Sequence, residues 1–446
     1  MLTKGQTMGV DVAGYKPSAF NVFTRRGERI FASNTLLRSL VELEERHYLI
    51  LTGSAPLSGL SEEERSALAE EGLLVPERLD EVALLRMSCN RGRFSTEFAE
   101  LAIAPTMACN FACPYCFETP TSARMDEAVQ DAVVGHVQAL LDAQVRSLHI
   151  SWYGGEPLLC PDIVETLSAR IARLCVEREV PLTLSMTTNG YLLNEERVAM
   201  LRRSGINEVQ VTLDGGKEEH DRHRFLRDGG PTFDVIVHNM TLLAPQGIRL
   251  HVRVNIDKSN PSAFVRVKTL LNQAGIEPRS VYPALIEQTR NQGEEQLSLC
   301  YGHEEIGDFY QGDVRAYQIQ DGFDGMRFVA CNCGAEHAFS AVIDPEGYLY
   351  RCWNDVGRPE RAYASLVDEA WENPAELVAY LGRDPFTEQE CSACPYIPLC
   401  LGGCLWEYLD KGSHSCASEK TLYWDILEEN YLTEEDEGGD EHEDHP

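Results

Sequence analysis

The 446-residue chain is short of basic residues, with 39 Lys and Arg against 71 Asp and Glu and a formal net charge of −32. A nucleic-acid backbone is bound by clustered Lys and Arg, so this deficit argues against a nucleic-acid-binding protein. The sequence also lacks any apolar run near the roughly 20 residues needed to cross a bilayer. Its first residues have neither the apolar core nor the cleavage site of a secretory signal. We therefore expect a cytoplasmic protein with no nucleic-acid or membrane partner.

Cysteine, by contrast, is abundant. Fifteen cysteines in a reducing compartment indicate metal binding or catalysis rather than disulfide bonds. Three of them form one group at Cys109, Cys113 and Cys116, and eight more lie between Cys331 and Cys416. The remaining four are scattered along the chain, and we expect them to be structural.

Alternating strand and helix patterns divide the chain into regions. Residues 97–290 contain about six βα pairs, which predict a parallel sheet with helices outside. Because a closed barrel has eight such pairs, we expect a partial (β/α)6 TIM-like barrel. Residues 1–96 predict a small winged-helix-like α/β module, residues 291–430 a cysteine-rich domain, and residues 431–446 a disordered acidic tail. The strands of the barrel are predicted at 101–104, 147–153, 182–187, 208–213, 249–256 and 280–285, and its helices at 127–143, 162–177, 195–203, 233–243 and 262–274.

The first cysteine group follows the first predicted barrel strand directly, in the segment Cys109-Asn-Phe-Ala-Cys113-Pro-Tyr-Cys116. Active sites of βα barrels lie at this end of the strands. Three close thiolates leave a tetrahedral zinc site one ligand short, but they can hold a [4Fe-4S] cluster by three corners. The open fourth iron can then bind S-adenosyl-L-methionine, whose reductive cleavage yields a 5′-deoxyadenosyl radical. A zinc knuckle with a distant fourth ligand is the alternative that the motif alone leaves open.

This motif, with Tyr115 before its third cysteine, resembles that of the radical S-adenosylmethionine (radical SAM) superfamily. Trp152-Tyr-Gly-Gly-Glu-Pro157 ends the second predicted strand and resembles the Gly-Gly-Glu motif of the same family. The resemblance implies that Gly154 and Gly155 let backbone approach the methionine end of the cofactor. It also implies that Glu156 receives the cofactor's ammonium and that Tyr115 belongs to the cofactor site.

Two later segments, Thr188-Asn-Gly190 after the third predicted strand and Val211-Thr-Leu-Asp-Gly215 at the end of the fourth, resemble strand-end motifs of the same family. The resemblance implies that Thr212 lies near the polar groups of the cofactor and that Asp214 orders its loop. Arg253 could reach the carboxylate or ribose of the cofactor, with a structural ion pair as the alternative. Gln210 and the segment His220-Asp-Arg-His-Arg224 resemble the peptide-modifying subgroup, without an assigned role.

The later cysteines resemble the SPASM extension of peptide-modifying radical enzymes, which carries two auxiliary [4Fe-4S] clusters. The spacing of Cys391-x2-Cys394-x5-Cys400-x3-Cys404 supports this resemblance. It implies that auxiliary cluster I is held by Cys331, Cys333, Cys352 and Cys404, and auxiliary cluster II by Cys391, Cys394, Cys400 and Cys416. If Cys331 does not bind, cluster I keeps an open iron that could accept a substrate thiolate. Zinc is the alternative metal, because such cysteine pairs also occur in zinc ribbons.

Three features narrow the function. The amino-terminal module resembles the peptide-recognition domain of maturases of ribosomally made peptides, which binds a leader peptide as an added strand; a structural cap is the alternative. Residues 348–357 resemble maturases that form thioethers. Sulfatase-maturating enzymes usually place Asp after the cysteine matched by Cys352, where this chain has Trp353. The resemblance thus implies a precursor peptide as substrate, Cys thioether cross-links as product, and an electron donor such as flavodoxin or ferredoxin.

Other reactions that begin with the same 5′-deoxyadenosyl radical stay open at this point. They are a carbon–carbon cross-link, epimerisation, and formylglycine formation as in sulfatase maturation. A non-catalytic iron–sulfur or zinc scaffold would explain the later cysteines, but it leaves the barrel and Glu156 without a purpose.

Overall fold

The structure is a computed structural model that describes residues 14–286, 288–289, 292–302, 333–368 and 370–412, together with residues 305, 309, 416, 420, 423, 424 and 427. These residues divide into two units. The smaller unit comprises the described residues up to Arg93 and from Asp384 onward, and the larger unit runs from Phe94 to Arg383. Cys331 and the acidic tail at 431–446 lie outside the described residues. The domain boundaries expected at 96 and 290 stay predictions.

The amino-terminal part of the smaller unit is an α/β assembly. Its elements are β1 (Tyr15–Pro17), β2 (Asn21–Arg26), β3 (Arg29–Asn34), β4 (Ser39–Leu43), α1 (Glu45–Leu51), α2 (Glu62–Glu70), β5 (Leu74–Pro76) and α3 (Glu81–Arg93). Strands β2, β3 and β4 form an antiparallel sheet with β3 in the middle, and β1 pairs with β5. A capping box starts α2: Ser61 Oγ accepts from Glu64 N while the Glu64 carboxylate accepts from Ser61 N. Apolar residues such as Ile30 and Leu68 fill the core of this assembly.

A nine-stranded sheet forms the centre of the larger unit. The elements that alternate along its first part are β6 (Ala99–Ile103), α4 (Glu127–Asp142), β7 (Leu148–Trp152), α5 (Pro161–Glu177), β8 (Leu182–Thr188), α6 (Glu195–Arg203), β9 (Ile206–Thr212), α7 (Lys217–His223), α8 (Phe233–Met240), β10 (Arg249–Ile256), α9 (Ala263–Gln273), β11 (Ser280–Leu285) and α10 (Glu294–Leu299). Strands β6 to β11 are parallel neighbours in chain order. All six predicted strands and all five predicted helices are confirmed, whereas α7 and α10 were not predicted. The predicted partial barrel is confirmed with them.

Three short strands continue this sheet beyond β6. They are β12 (Ala341–Ile343), β13 (Tyr348–Tyr350) and β14 (Ala364–Ser365), followed by α11 (Pro374–Leu381). Strand β12 runs parallel to β6, and the pairs β12–β13 and β13–β14 are antiparallel. Backbone hydrogen bonds therefore join part of the cysteine-rich region to the barrel sheet, which the sequence pattern did not predict.

The two faces of the parallel sheet differ in polarity. Residues on the helix-covered face, such as Leu101, Ile150 and Val252, are fully buried and apolar. Side chains alternate between the faces of a strand, so their neighbours occupy the opposite face. On this opposite face, hydrogen bonds link the neighbouring strands β7 and β8 through His149 and Ser185 (2.8 Å), and β10 and β11 through His251 and Ser280 (2.8 Å). A further hydrogen bond, from Tyr282 of β11 to Gln210 of β9, passes across β10. The inner face of the barrel is therefore polar from β7 to β11.

Three short helices complete the described part of the smaller unit, namely α12 (Gln389–Ser392), α13 (Ile397–Cys400) and α14 (Leu405–Lys411). Ile397 is buried with Phe20 and Leu85, which belong to the amino-terminal assembly. The Tyr423 hydroxyl lies 2.6 Å from Ser33 Oγ. The two ends of the described chain thus share one hydrophobic core. None of the helices in the described residues is both long and apolar enough to span a membrane.

Candidate active site at the carboxyl ends of the strands

The loop after β6 carries three free, partly buried thiols, those of Cys109, Cys113 and Cys116. The segment after β7 holds the start of this loop by backbone hydrogen bonds. Gly155 N donates to Thr106 O at 3.2 Å, and Glu156 N donates to Ala108 O at 2.9 Å. The cysteine loop and the Gly-Gly-Glu segment therefore form one unit at the carboxyl ends of β6 and β7.

Both glycines of this segment are needed for that contact. Gly154 has a φ of +106°, and a Cβ atom there would lie 2.5 Å from Thr106 O. A Cβ atom on Gly155 would lie 2.4 Å from Ala108 O. Any other residue would push the cysteine loop away. That these glycines let backbone approach a cofactor stays a prediction. The structure shows in addition that they let the segment pack against the cysteine loop.

A second segment, which follows α7, holds the other side of the cysteine loop. Ala112 N donates to Phe225 O at 3.0 Å, and Arg227 N donates to Asn110 O at 3.1 Å. The Arg227 side chain also donates from Nε to Cys109 O at 2.6 Å. The loop is thus fixed from two sides by hydrogen bonds that do not involve its thiols.

Glu156 is fully buried and accepts three hydrogen bonds. They come from Leu158 N at 3.0 Å, from Thr188 Oγ1 at 2.8 Å and from Asn189 N at 2.8 Å. Burial raises the pKa of Glu156, and these donors oppose the rise. The carboxylate therefore ties the end of β7 to the end of β8, and the predicted contact with a cofactor ammonium stays a prediction.

Asn189 connects the same carboxylate to the cysteine loop. Its Nδ2 donates to Asn110 Oδ1 at 2.7 Å and lies 3.9 Å from Cys109 Sγ. Its backbone N–H is one of the three donors to Glu156. The motif Thr188-Asn-Gly190 is the sequence signal for this position, but the residue's role required the structure.

Tyr115 is buried, and its hydroxyl is the centre of a polar network. The hydroxyl accepts from Arg224 Nη1 at 2.8 Å and from Asn255 Nδ2 at 3.2 Å, and it donates to Asp214 Oδ2. Burial raises the pKa of Tyr115 well above 10 and also raises the pKa of Asp214. Tyr115 thus anchors the cysteine loop to β9, β10 and the end of α7, while its predicted place in a cofactor site stays a prediction.

Thr212, the last residue of β9, is in register with Arg253 within β10. Thr212 is buried, and Arg253 donates from Nε to Asn255 Oδ1 at 2.8 Å. Within the described part of the chain Arg253 forms no ion pair, and the structural ion pair considered as its alternative role stays a prediction. Its predicted contact with a cofactor stays a prediction.

His220 orders the loop that carries Asp214. Its ring is fully buried, with Nδ1 accepting from Asp214 N at 3.3 Å and Nε2 lying 3.1 Å from Thr232 Oγ1. Burial lowers the pKa of His220 well below 6.5, so the ring is neutral at physiological pH. The predicted role of Asp214 in ordering this loop stays a prediction, and the structure adds His220 as a partner of the Asp214 backbone.

The surroundings of the three thiols suit a metal–sulfur cluster with a polar cofactor. Burial raises the pKa of Cys109 and of Cys116 to about 12, and such thiols become thiolates when a metal ion supplies positive charge. Three buried polar atoms next to the loop lack hydrogen-bond partners, namely Asn110 Nδ2, Asp214 Oδ1 and Arg224 Nε. Buried atoms of this kind are typical of a site that a polar ligand or ion fills. Among the described residues, no three Cys, His, Asp or Glu side chains are placed to share a single metal ion.

Two of the predicted auxiliary ligands lie in the larger unit. Arg351 is buried directly before Cys352, and it donates to the carbonyl groups of Ala335 and Ser340. Both carbonyls follow Cys333 closely in the chain. Arg351 therefore brings the segments of Cys333 and Cys352 together.

The other predicted auxiliary ligands with a described position lie in the smaller unit. Helix α12 carries Cys391, helix α13 ends at Cys400, and Cys394 lies between the two helices. Leu401, Gly402 and Gly403 all have positive φ and reverse the chain before Cys404. Cys404 and Cys416 are exposed. The set predicted for cluster II thus falls within one unit and the set for cluster I does not, and both ligand assignments stay predictions.

Known proteins with similar sequences contain the same kind of domain. A sequence model of the radical SAM superfamily matches residues 103–271. A serine-type anaerobic sulfatase-maturating enzyme of Klebsiella aerogenes is 24% identical over 347 residues, which cover 72% of this chain and 83% of that enzyme. The mycofactocin maturase MftC of Mycobacterium ulcerans is 25% identical over 318 residues, which cover 67% of this chain and 81% of that protein.

Solved structures share the fold. Native anSMEcpe with bound AdoMet and the Cp18Cys peptide superposes with a TM-score of 0.59 at 18% identity, covering 76% of this chain and 99% of that one. Streptococcus suis SuiB superposes with a TM-score of 0.53 at 15% identity, covering 89% and 97%. At these identities the likeness concerns the fold alone, and it agrees with the partial barrel.

Proposed function

Residues 103–271 are a radical SAM domain, and from that premise we propose that this protein is a maturase that modifies a ribosomally made precursor peptide. The relatives named as a sulfatase-maturating enzyme and a mycofactocin maturase support a peptide or protein substrate. The observation that carries the proposal is the cysteine loop, which β6 delivers to the strand ends and which Gly155 and Glu156 hold in place.

Radical SAM domains use a [4Fe-4S] cluster and S-adenosylmethionine, which together supply a 5′-deoxyadenosyl radical. In this chain Cys109, Cys113 and Cys116 would hold the cluster. Thr212 at the end of β9 and Arg253 beside it in β10 would offer a hydroxyl and a guanidinium to the cofactor. The eight later cysteines would hold the two auxiliary clusters, as the resemblance to the SPASM extension implies.

The polar inner face of the barrel supports an extended peptide as substrate. A peptide backbone needs hydrogen-bonding partners along its whole length, and the inner face presents hydroxyl, amide and imidazole groups from five neighbouring strands. In the smaller unit, β2 and β4 are the outer strands of a three-stranded sheet. We infer that a leader peptide adds to one of these edges as a further strand.

Within this class of enzymes, Cys thioether formation is the product we propose. The 5′-deoxyadenosyl radical would take a hydrogen atom from a peptide carbon, and the thiolate of a peptide cysteine, formed by loss of its proton, would bond to that carbon with release of one electron. The auxiliary clusters that the later cysteines would hold would carry this electron to an external acceptor, and a flavodoxin or ferredoxin would supply the electron for cofactor cleavage. The resemblance of residues 348–357 to thioether-forming maturases supports this choice.

The surroundings of Asp355 weaken the alternative of sulfatase maturation. Trp353 occupies the position after Cys352 where sulfatase-maturating enzymes place Asp. Asp355 is the nearest carboxylate in the chain, but it is fully buried. It accepts from Tyr380 at 2.7 Å and pairs with Arg361 at 3.3 Å. These contacts turn the Asp355 carboxylate towards its own chain, and they support the choice against sulfatase maturation.

The experiment begins with the anaerobically reconstituted protein. About twelve irons per chain, corresponding to three four-iron clusters, and release of 5′-deoxyadenosine under reductant are expected. The Cys109→Ala variant should lose deoxyadenosine release, whereas Cys175→Ala, which alters a scattered cysteine in α5, should keep it. Stoichiometric zinc without cofactor cleavage would instead support the non-catalytic scaffold.

The product is tested by co-expression with a short cysteine-containing reading frame that neighbours the gene. Mass spectrometry should show a loss of two hydrogens per bond formed, and alkylation should find the bonded cysteine blocked. An unchanged peptide mass despite active cofactor cleavage would rule out cross-linking for that peptide.

A further inference from the structure

Arg224 is a buried cation beside the cysteine loop to which the proposed function gives no role. It ends the segment His220-Asp-Arg-His-Arg224 and is 8% exposed. Its Nη1 donates to the Tyr115 hydroxyl at 2.8 Å, and its guanidinium carbon lies 5.7 Å from the centre of the Phe111 ring. Its Nε is buried without a partner among the described residues.

The backbone after Arg224 is part of the same contact. Leu226 forms an isolated antiparallel bridge with Phe111, and Phe225 O accepts from Ala112 N. Arg224 thus contacts the cysteine loop through its side chain while its neighbours contact it through the backbone. The guanidinium therefore keeps a fixed position relative to the loop.

The charges around the loop show why a cation is needed there. The Arg224 guanidinium lies over the ring of Phe111, which stands between Cys109 and Cys113 in the chain, and these thiols would be thiolates once they hold a cluster. The carboxylates of Glu156 and Asp214 are fully buried at the same strand ends. Buried charges of one sign are stable only when an opposite charge is near.

We propose that Arg224 is a positioning residue that compensates the negative charge of the thiolates on the cysteine loop, and so sets how tightly the loop retains its cluster and how readily that cluster is reduced. This inference rests on the proposed function. One-electron reduction adds negative charge close to the guanidinium, so the cation favours the reduced form. The electron comes from the external donor.

The test compares Arg224→Gln with Arg222→Gln in the full-length reconstituted protein. Arg222 lies on the same helix, is exposed, and bonds only to Glu218 O among the described residues, so it is a matched control for loss of charge. Arg224→Gln should lose iron to a chelator about tenfold faster than wild type. Its midpoint potential should shift to a more negative value. The cluster concerned is identified by the change in its electron paramagnetic resonance spectrum when S-adenosylmethionine is added.

Two further variants separate charge compensation from simple packing. Arg224→Lys keeps the charge, and it should retain the wild-type potential even if Arg224→Gln folds poorly. The double variant Arg224→Gln/Asp214→Asn removes the two charged side chains that share the Tyr115 hydroxyl. Because loss of the Asp214 carboxylate also removes a negative charge, this variant should recover part of the wild-type potential. A potential as low in Arg224→Lys as in Arg224→Gln would show that packing rather than charge is responsible, and it would overturn the proposal.

The same experiment distinguishes this inference from the proposed function. Equal iron loss and equal potential in Arg224→Gln and Arg222→Gln would defeat the role of Arg224 alone. A wild-type protein without a cluster that responds to S-adenosylmethionine would defeat the proposed function, and this inference with it.

Discussion

Trp353 meets Tyr153 edge to face, with ring centroids 4.1 Å apart and planes inclined by 82°. Trp353 directly follows Cys352, and Tyr153 directly precedes the Gly-Gly-Glu segment. Tyr153 also stacks on Phe117, which follows Cys116, at 6.5 Å and 18°. Three rings therefore connect the segment of a predicted auxiliary ligand to the loop of the first cluster.

Replacing Trp353 should weaken cofactor binding without removing any predicted cofactor contact. An aromatic pair contributes about 0.5–1.5 kcal/mol beyond its buried area, so Trp353→Ala should loosen Tyr153 and the Gly-Gly-Glu segment. We expect the dissociation constant for S-adenosylmethionine to rise about fivefold. Calorimetric titration of the reconstituted protein measures it.

The matched control is Trp371, whose ring meets Tyr348 edge to face at 5.5 Å in the same extension of the sheet. Trp371→Ala removes a comparable pair away from the Gly-Gly-Glu segment and should leave cofactor affinity unchanged. Equal losses in the two variants would show that the Trp353–Tyr153 contact has no special connection to the cofactor.

Glu156 should stabilise the protein even without a cofactor. Glu156→Gln replaces one acceptor oxygen by an NH₂ group that faces the N–H and O–H donors of the surrounding chain. We expect a loss of about 2 kcal/mol in the free energy of unfolding of the metal-free protein, measured in urea. Thr188→Val removes one of the three donors and should cost about half as much. If the metal-free Glu156→Gln protein were as stable as wild type, the carboxylate would act through the cofactor alone.

Gly155→Ala should displace the cysteine loop. The added Cβ would meet backbone atoms of Ala108 rather than a movable side chain. We expect the reconstituted variant to hold about four fewer irons per chain than wild type, the content of one cluster. Gly135→Ala in α4 is the control, since its Cβ meets nothing within 4 Å and helix propensity favours alanine. Full iron content in Gly155→Ala would show that the loop tolerates the shift.

His220 should make the larger unit less stable as the pH falls below 6.5. Burial lowers its pKa in the folded state, so the unfolded chain binds the proton first. Above pH 6.5 both states are neutral at this residue and it contributes nothing to the pH dependence. Below pH 6.5 it should cost up to about 1.4 kcal/mol per pH unit.

The measurement compares wild type with His220→Asn in denaturant at pH 7.5 and pH 5.5. Asn can still accept from the Asp214 amide, and it cannot be protonated. Stability should fall more steeply in wild type than in the variant over this range. Parallel slopes for the two proteins would mean that His220 is not the group that senses pH.

Local pattern was enough to predict the barrel. Each strand from β6 to β11 is short and apolar on one face, and each predicted helix has an apolar stripe that covers it. The short helix α7 was missed because Lys217–His223 is almost wholly polar and lacks such a stripe. The parallel pairing of β12 with β6 was also missed, because the two strands are more than 230 residues apart and no local signal records their pairing.

The sequence predicted which residues belong to the candidate site, but it did not predict the hydrogen bonds between them. Spacing located Cys109, Cys113 and Cys116, and the strand-end motif located Glu156. Two of the three donors to the Glu156 carboxylate come from the end of β8, and the third is Leu158 N. Only the fold therefore shows that this carboxylate already accepts three hydrogen bonds. The sequence marked Arg224 as part of a segment that resembles the peptide-modifying subgroup, but it assigned the residue no role. The structure shows that its guanidinium lies over the Phe111 ring.

The polar inner face between β7 and β11 has a consequence for how such an enzyme can diversify. The apolar contacts that keep these strands folded lie on the opposite face, under the helices. Substitutions at Gln210, His251 or Tyr282 therefore alter what the barrel recognises at little cost to folding. New peptide sequences can be accommodated by mutation on one side of the sheet while selection for foldability acts on the other.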